Sequence, residues 1–284
     1  KFKVFMTSKL FFKSTLLFFS LLIVSCGSSK KAIPQLKPSA DNVTLTSTST
    51  DVTFKTGAEN FESYLPLLKD KSVGIVTNQT GILEDKSKLS PEEHGVRLLK
   101  EKHLVDFLIE QNIKLQKIYA PEHGFRGTAD AGELIVDGKD TKTNLPIISL
   151  YGNNKKPKPE QLEGIDILVF DLQDVGARYY TYISSLHYVM EACAENNIPL
   201  LVLDRPNPNG TIIDGPILEK EHKSFVGMHE IPVLHGMTIG EYAKMINGEK
   251  WLKDSIQCDL KVAPCLNYSH DMKYSLPVKP SPNL

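Results

Sequence analysis

Short runs that are apolar on both faces recur along the chain: "SVGIVTN" (72–78), "LQKIYA" (115–120), "LPIISL" (145–150), "IDILVFDL" (165–172) and "IPLLVLD" (198–204). Strands of a parallel sheet covered by helices on both sides read this way, because neither face meets water. Between them, "HLVDFLIEQN" (103–112) and "YYTYISSLHYVMEACAENN" (179–197) carry apolar residues at helical spacing. In the second, Tyr180, Ile183, Leu186, Met190 and Ala194 fall on one stripe. Alternating strand and helix predict an α/β fold, a doubly wound and mostly parallel sheet with right-handed crossovers. The charged stretch 85–102, interrupted by Pro91, reads as a surface insertion.

The N-terminus follows another pattern. Lys1, Lys3, Lys9 and Lys13 flank the apolar run "LFFKSTLLFFSLLIV", which meets Ser25-Cys26-Gly27. A basic region, an apolar run and a small-residue junction predict a secretory signal peptide over 1–26. The ending Ile23-Val24-Ser25-Cys26 resembles a bacterial lipobox, which implies lipidation of Cys26 and an exported lipoprotein, periplasmic or membrane-anchored. A plain transmembrane anchor is the alternative, weakened by the short run and by Lys13. Residues 27–53, rich in Ser, Thr, Lys and Pro, have too little apolar surface to order themselves and read as a tether. The opening without methionine and the proline-rich ending "LPVKPSPNL" suggest a chain cut at both ends.

Composition narrows the function classes. With 284 residues, 41% of them hydrophobic and 24% charged, the chain suits one large soluble domain, or one domain and part of another. A formal charge of −1, without a basic cluster interleaved with aromatics, argues against nucleic acid. "GIVTNQTG" is not G-x-G-x-x-G, so a dinucleotide cofactor has no support, and no Cys/His spacing suggests zinc. Cys258 and Cys265 could close a small disulfide loop in an oxidising compartment, while Cys193 lies on an apolar helix pattern as an inert core thiol.

Ligands of open α/β sheets bind beyond the strand carboxyl ends. Those ends carry Asn78-Gln79-Thr80, then "PEHGFRG" (121–127), then "DLQDVGARYY" (171–180), then "DRPNPNG" (204–210). Four of the five strand ends are polar and rich in carboxylate, amide and arginine, which points to a site. The chain spells "EHG" twice. Glu93-His94-Gly95 falls in a charged stretch without a strand and reads as solvated surface, whereas Glu122-His123-Gly124 leaves a buried strand at the expected cleft mouth.

Together, "GIVTNQTG", "YAPEHGFRG", "DAGE", "IDILVFDLQDVGARYYTYISSL", "VLDRPNPNG", "DGPIL" and "HGMTIGEYA" closely resemble the exo-β-N-acetylmuramidases of the NamZ type, from about Phe54 to Leu284. The resemblance implies removal of non-reducing-end N-acetylmuramic acid from peptidoglycan fragments, with no cofactor. It also implies a Rossmann-like catalytic domain, here 54–247, beside a smaller C-terminal α+β domain of which 248–284 would be only the beginning.

Glycosidic cleavage needs an acid for the departing oxygen and a group that stabilises the oxocarbenium-like centre. Glu122 is the first choice for the acid, and the resemblance also places a functional glutamate in this motif. His123 would orient it or bind a sugar hydroxyl. The second carboxyl stays open between Asp171 and Asp174, with Glu133 and Asp204 as lesser candidates; Asp171 as a helix cap is the structural alternative. N-acetylmuramic acid carries a lactyl carboxylate, which the fork of an arginine matches. Arg178 is favoured, then Arg126, with Arg205 a further strand-end candidate and a structural salt bridge open for each. Asn78, Gln79, Tyr179, Asn207 and His235 complete the expected binding set. Thr238 and Glu241 form a T-x-x-E capping box, a sufficient local reason for both. Two other classes remain: a sugar-binding lipoprotein without catalysis, and a metal-dependent hydrolase using Asp171, Asp174 and Asp204.

Overall fold

The computed structural model describes residues 54–84, 102–126 and 137–281. Cys26, Glu93-His94-Gly95, Glu133 and the stretch 85–101 lie outside the described residues.

The five apolar runs form β1 (Ser72–Thr77), β4 (Lys114–Ala120), β6 (Pro146–Ser149), β7 (Ile167–Asp171) and β8 (Leu200–Leu203). They lie in one seven-stranded sheet, completed by β11 (Leu260–Ala263) and the two-residue β5 (Gly138–Lys139), in the order β11-β8-β7-β1-β4-β6-β5. Every pairing is parallel except that of β5 with β6. The six parallel strands follow the doubly wound Rossmann order, so the α/β expectation holds. β11 lies inside the stretch 248–284 that the sequence sets apart as the start of a second domain, yet it pairs with β8 throughout.

Side-chain alternation sorts the strands onto two cores. Leu168, Phe170, Leu200 and Val202 pack beneath α4 (Tyr182–Glu195) and α5 (Ile239–Gly248) with Ile183, Leu186, Met190 and Tyr242. Ile167, Val169, Leu201 and Leu203 pack on the opposite face against Tyr64 of α1 (Phe61–Leu68) and Leu104 and Leu108 of α2 (Leu104–Glu110). Both faces are therefore buried, which is why the runs show no polar alternation. Gly74 of β1 is required by this packing: a Cβ there would stand 2.7 Å from Leu168 and 2.9 Å from Tyr119.

The helix termini follow local chemistry. Thr238 Oγ1 accepts from the Glu241 backbone amide at 3.2 Å, and Glu241 Oε2 accepts from the Thr238 amide at 2.8 Å, the capping box read from sequence. Cys193 is the core thiol expected on α4, but the Cys258–Cys265 disulfide is not formed. All three described cysteines are free thiols: Cys258 is buried beside Cys193, and Cys265 donates to the Asp204 carbonyl at 3.4 Å. Sequence proximity suggested the wrong partner, because β11 separates Cys258 from Cys265 and carries them to opposite ends of one strand.

Candidate active site at the strand ends

The chain reverses direction across the sheet between β1 and β7, where doubly wound folds form their ligand crevice. Asn78 is fully buried there and locks the first loop to the start of α4. Its amide donates to Tyr182 Oη at 2.6 Å, and its Oδ1 accepts from the Thr80 amide and hydroxyl at 2.9 and 2.6 Å. Gln79 reaches the other way: its Nε2 donates to the carbonyls of Lys279 and Pro280 at 3.3 and 3.0 Å.

β4 delivers Glu122 and His123. Tyr151, which follows β6, donates its hydroxyl to Glu122 Oε1 at 3.2 Å. Burial, then the charge of Glu122, raises the Tyr151 pKa, so the phenol stays a donor. His123 is buried and takes φ 72°, followed by Gly124 at φ 73°. A left-handed non-glycine residue costs about 1–3 kcal/mol, and such strain concentrates at functional sites. The turn holds Glu122 half-buried at the strand mouth.

Tyr180 ends the loop after β7 and Tyr182 opens α4. Their rings meet edge to face at 4.8 Å, and both hydroxyls donate to the Pro280 carbonyl, at 3.0 and 3.4 Å. Burial first, and then the charges of both Glu122 and Asp174 among the further causes, push both phenols upward. Two carboxylates from different strands thus act on one pair of hydroxyls. Together with Gln79, these tyrosines aim three donors at one carbonyl oxygen, a cradle suited to an oxygen-rich ligand.

Asp174 Oδ2 accepts from the Gly176 amide at 2.8 Å and lies 3.6 Å from His235 Nε2. Its Oδ1 has no hydrogen-bond partner, nor do His235 Nε2, Gln173 Oε1 and Gln79 Oε1. Buried polar atoms are normally satisfied, so these four are candidates for contact with water or a polar ligand. Gly176 itself sits at φ 76°, with the Asn207 side chain where a Cβ would fall, at 2.2 Å. Asn207 donates to the Met237 carbonyl at 2.9 Å and accepts from the Asn209 amide at 2.8 Å, so it holds loops together.

The remaining nominated residues are engaged elsewhere. Asp171 is fully buried and takes both oxygens to Arg205, from Nε at 2.6 Å and Nη2 at 3.0 Å. Arg126 grips Asp140 with Nε and Nη2 at 3.1 and 2.9 Å, and lies over the Phe125 ring. Arg178 donates to the carbonyls of Pro216 and Ile231. Arg126 and Arg205 thus form the structural salt bridge that the sequence left open, whereas Arg178 is held by backbone carbonyls instead. Asp204 accepts from the Thr238 hydroxyl at 2.9 Å and from the amides of Gly240 and Arg205 at 2.7 and 3.0 Å; burial raises its pKa to about 6. It anchors the start of α5. Asp171, Asp174 and Asp204 do not converge. Among the described residues the one cluster of three potential metal ligands is the exposed Glu219, Glu221 and His222.

A hollow of about 390 Å³ opens beside these loops, lined by Val175, Ala177, Tyr179, Asn209, Leu234 and Lys279 among others. Tyr179 is 63% exposed at its wall. Two contributors escaped the sequence reading. Tyr151 directly follows the third strand run, the one strand end passed over. Lys279 lies in the final coil, and nothing local marks its return to β1.

Residues 73–284 match the family described as "Exo-beta-N-acetylmuramidase NamZ, N-terminal". A protein of Bacillus subtilis (strain 168) named peptidoglycan beta-N-acetylmuramidase NamZ is 47% identical over 227 residues, covering 78% of this chain and 50% of that protein. Two crystal structures of DUF1343 family proteins from Bacteroides fragilis NCTC 9343 align with TM-scores of 0.67 and 0.64, at 45% and 41% identity. They cover 81% and 78% of this chain and 57% and 53% of theirs, so the chain spans about half the length of the relatives it matches. With family match, identity and strand order in agreement, this chain belongs to the exo-beta-N-acetylmuramidase NamZ family, in the part that forms its N-terminal region.

Proposed function

We propose that the chain is the strand-end half of an exo-acting glycoside hydrolase that releases non-reducing-end β-linked N-acetylmuramic acid from peptidoglycan fragments. Glu122 serves as general acid. The observation that carries the reading is the position of Glu122: half-buried at the mouth of β4 and held by the Tyr151 hydroxyl. A carboxylic acid at such a mouth, partly shielded from water, suits proton donation to a leaving oxygen. The name of the Bacillus subtilis relative supports the substrate class.

Asp174 takes the part of the second carboxyl. It keeps one oxygen unpaired, whereas Asp171 is consumed by Arg205. His235 and Gln173 supply further contacts to the sugar. Lys279, the charged residue lining the hollow, reads the lactyl carboxylate in place of the three engaged arginines. Export as a lipoprotein through Cys26 completes the reading; Cys26→Ser would move the protein from membrane to soluble fractions.

The test is release of N-acetylmuramic acid from the disaccharide it forms with N-acetylglucosamine. Glu122→Gln is expected to lower kcat by about 10²–10⁴-fold while sugar binding persists. Turnover at the wild-type rate by that variant would reject Glu122 as the acid.

A further inference from the structure

A second cavity shares no lining residue with the hollow at the strand ends. It measures about 640 Å³, within the range of about 300–1,000 Å³ typical of small-molecule sites. His187 and Tyr188 reach it from α4, Phe225 and His229 from the loop before β10 (Leu234–His235), and Trp251 from just after α5. Tyr188 and Phe225 lie nearly parallel at 5.9 Å between centroids, and His229 stacks on Trp251 at 4.7 Å. Tyr188, Phe225 and Trp251 are each only partly covered.

The wall behind the rings is held by an ordered chain of hydrogen bonds. His229 Nδ1 meets Tyr242 Oη at 2.9 Å, His229 Nε2 meets His187 Nδ1 at 2.9 Å, and His187 Nε2 lies 3.6 Å from Glu191 Oε2. One direction satisfies every member. Tyr242 donates to His229, His229 donates to His187, and His187 turns its remaining N–H toward the carboxylate. The reverse direction would set a bare imidazole lone pair against Glu191. Burial lowers the pKa of both imidazoles and so favours the neutral rings that this order requires.

Three cations face three carboxylates around it. Lys223 pairs with Glu230 at 2.7 Å, Lys156 pairs with Glu191 and Glu195 at 2.7 and 2.6 Å, and the Lys155 ammonium lies 4.6 Å from the centroid of the Phe225 ring. Aromatic faces with a polar, mutually neutralised rim suit an uncharged ligand with one apolar face and many hydroxyls. A pyranose is such a ligand: its axial C–H bonds meet the negative face of an aromatic ring, and its equatorial hydroxyls meet the rim. We infer that this cavity is a second carbohydrate subsite, which holds N-acetylglucosamine-type rings of a glycan strand away from the hydrolytic site. The choice of glycan rests on the proposed function; the ring chemistry does not.

Trp251 is the sole tryptophan of the chain, so its fluorescence reports occupancy directly. Titration with tetra-N-acetylchitotetraose is expected to give a saturable change with a Kd of about 1 mM or tighter. Phe225→Ala and Tyr188→Ala should each weaken it by about tenfold, with circular dichroism unchanged and turnover of a small aryl N-acetylmuramide unaffected. Absence of a saturable change in the wild type overturns the inference. So does a change that survives both substitutions, or one produced by a free stem peptide and not by the sugar. A full-length protein that shifts its fluorescence but releases no N-acetylmuramic acid would refute the hydrolase and leave the subsite standing.

Discussion

Arg205 clasps Asp171 with two nitrogens, and the pair is almost wholly withdrawn from water. It ties the end of β7 to the loop after β8 and, through the Arg205 bond to the Ile82 carbonyl at 3.2 Å, to β2 (Ile82–Leu83). Removing one partner strands a buried charge, which costs about 3–5 kcal/mol. Arg205→Met should therefore lose that much in urea unfolding and, at about 2–4 °C per kcal/mol for a domain of this size, about 10 °C in Tm. Arg205→Met with Asp171→Leu should recover part of the loss, since no charge is then stranded. A single variant within about 1 kcal/mol of wild type would show that the clasp adds nothing beyond a surface pair.

Tyr151→Phe deletes one hydroxyl and leaves the ring. If that hydroxyl positions Glu122, the loss falls on kcat rather than on KM, because the bond matters most as charge moves in the transition state. A hydrogen bond to a charged partner contributes about 1.5–3 kcal/mol, so a fall of about ten- to a hundredfold in kcat is expected. Steady-state kinetics on the disaccharide decide it. An increase in KM alone would make Tyr151 a binding residue.

Lys279→Met keeps the aliphatic stem and removes the ammonium. Affinity for a β-N-acetylmuramide should drop by about tenfold, or about 1.4 kcal/mol, with no change for the matching N-acetylglucosaminide, which lacks the carboxylate. Equal losses on both substrates would return the lactyl contact to another cation.

Five of the sheet strands were legible in the chain because burial on both faces leaves an unbroken apolar signature, as in "ILVFD" of β7. α1 was not: Pro66 and the polar Glu62 and Ser63 break its periodicity, and Tyr64 and Leu68 alone are fully buried. β11 hid for a related reason, since at the sheet edge only Ala263 of "LKVA" is buried. Within the site, residue types at strand ends identified the neighbourhood but not the partners. Asp171 and Asp174 stand three positions apart with equal promise in sequence. Only the long-range approach of Arg205 from the next strand end separates them.

Acid should unfold this domain through its buried imidazoles. Burial, with help from His187 and Lys223, lowers the His229 pKa to about 3, against about 6.5 in an unfolded chain. Its contribution is fully present above about pH 6.5 and is lost as pH falls toward 3, because the unfolded chain takes the proton first. Asp204 runs the other way. Burial raises it to about 6 from about 3.9, so its contribution is intact below pH 4 and declines as pH rises through 6. At about 1.4 kcal/mol per unit, roughly 5 kcal/mol rides on His229 and roughly 3 on Asp204, so the histidine dominates. Below pH 4 it acts unopposed. His229→Gln, which has no proton to gain, should flatten the fall in urea midpoint between pH 6.5 and 3. Asp204→Asn should gain on wild type between pH 4 and 6. An unchanged slope in His229→Gln would move the acid lability to carboxylates held below their ordinary range, such as Asp140 beside Arg126 and Glu191 beside Lys156.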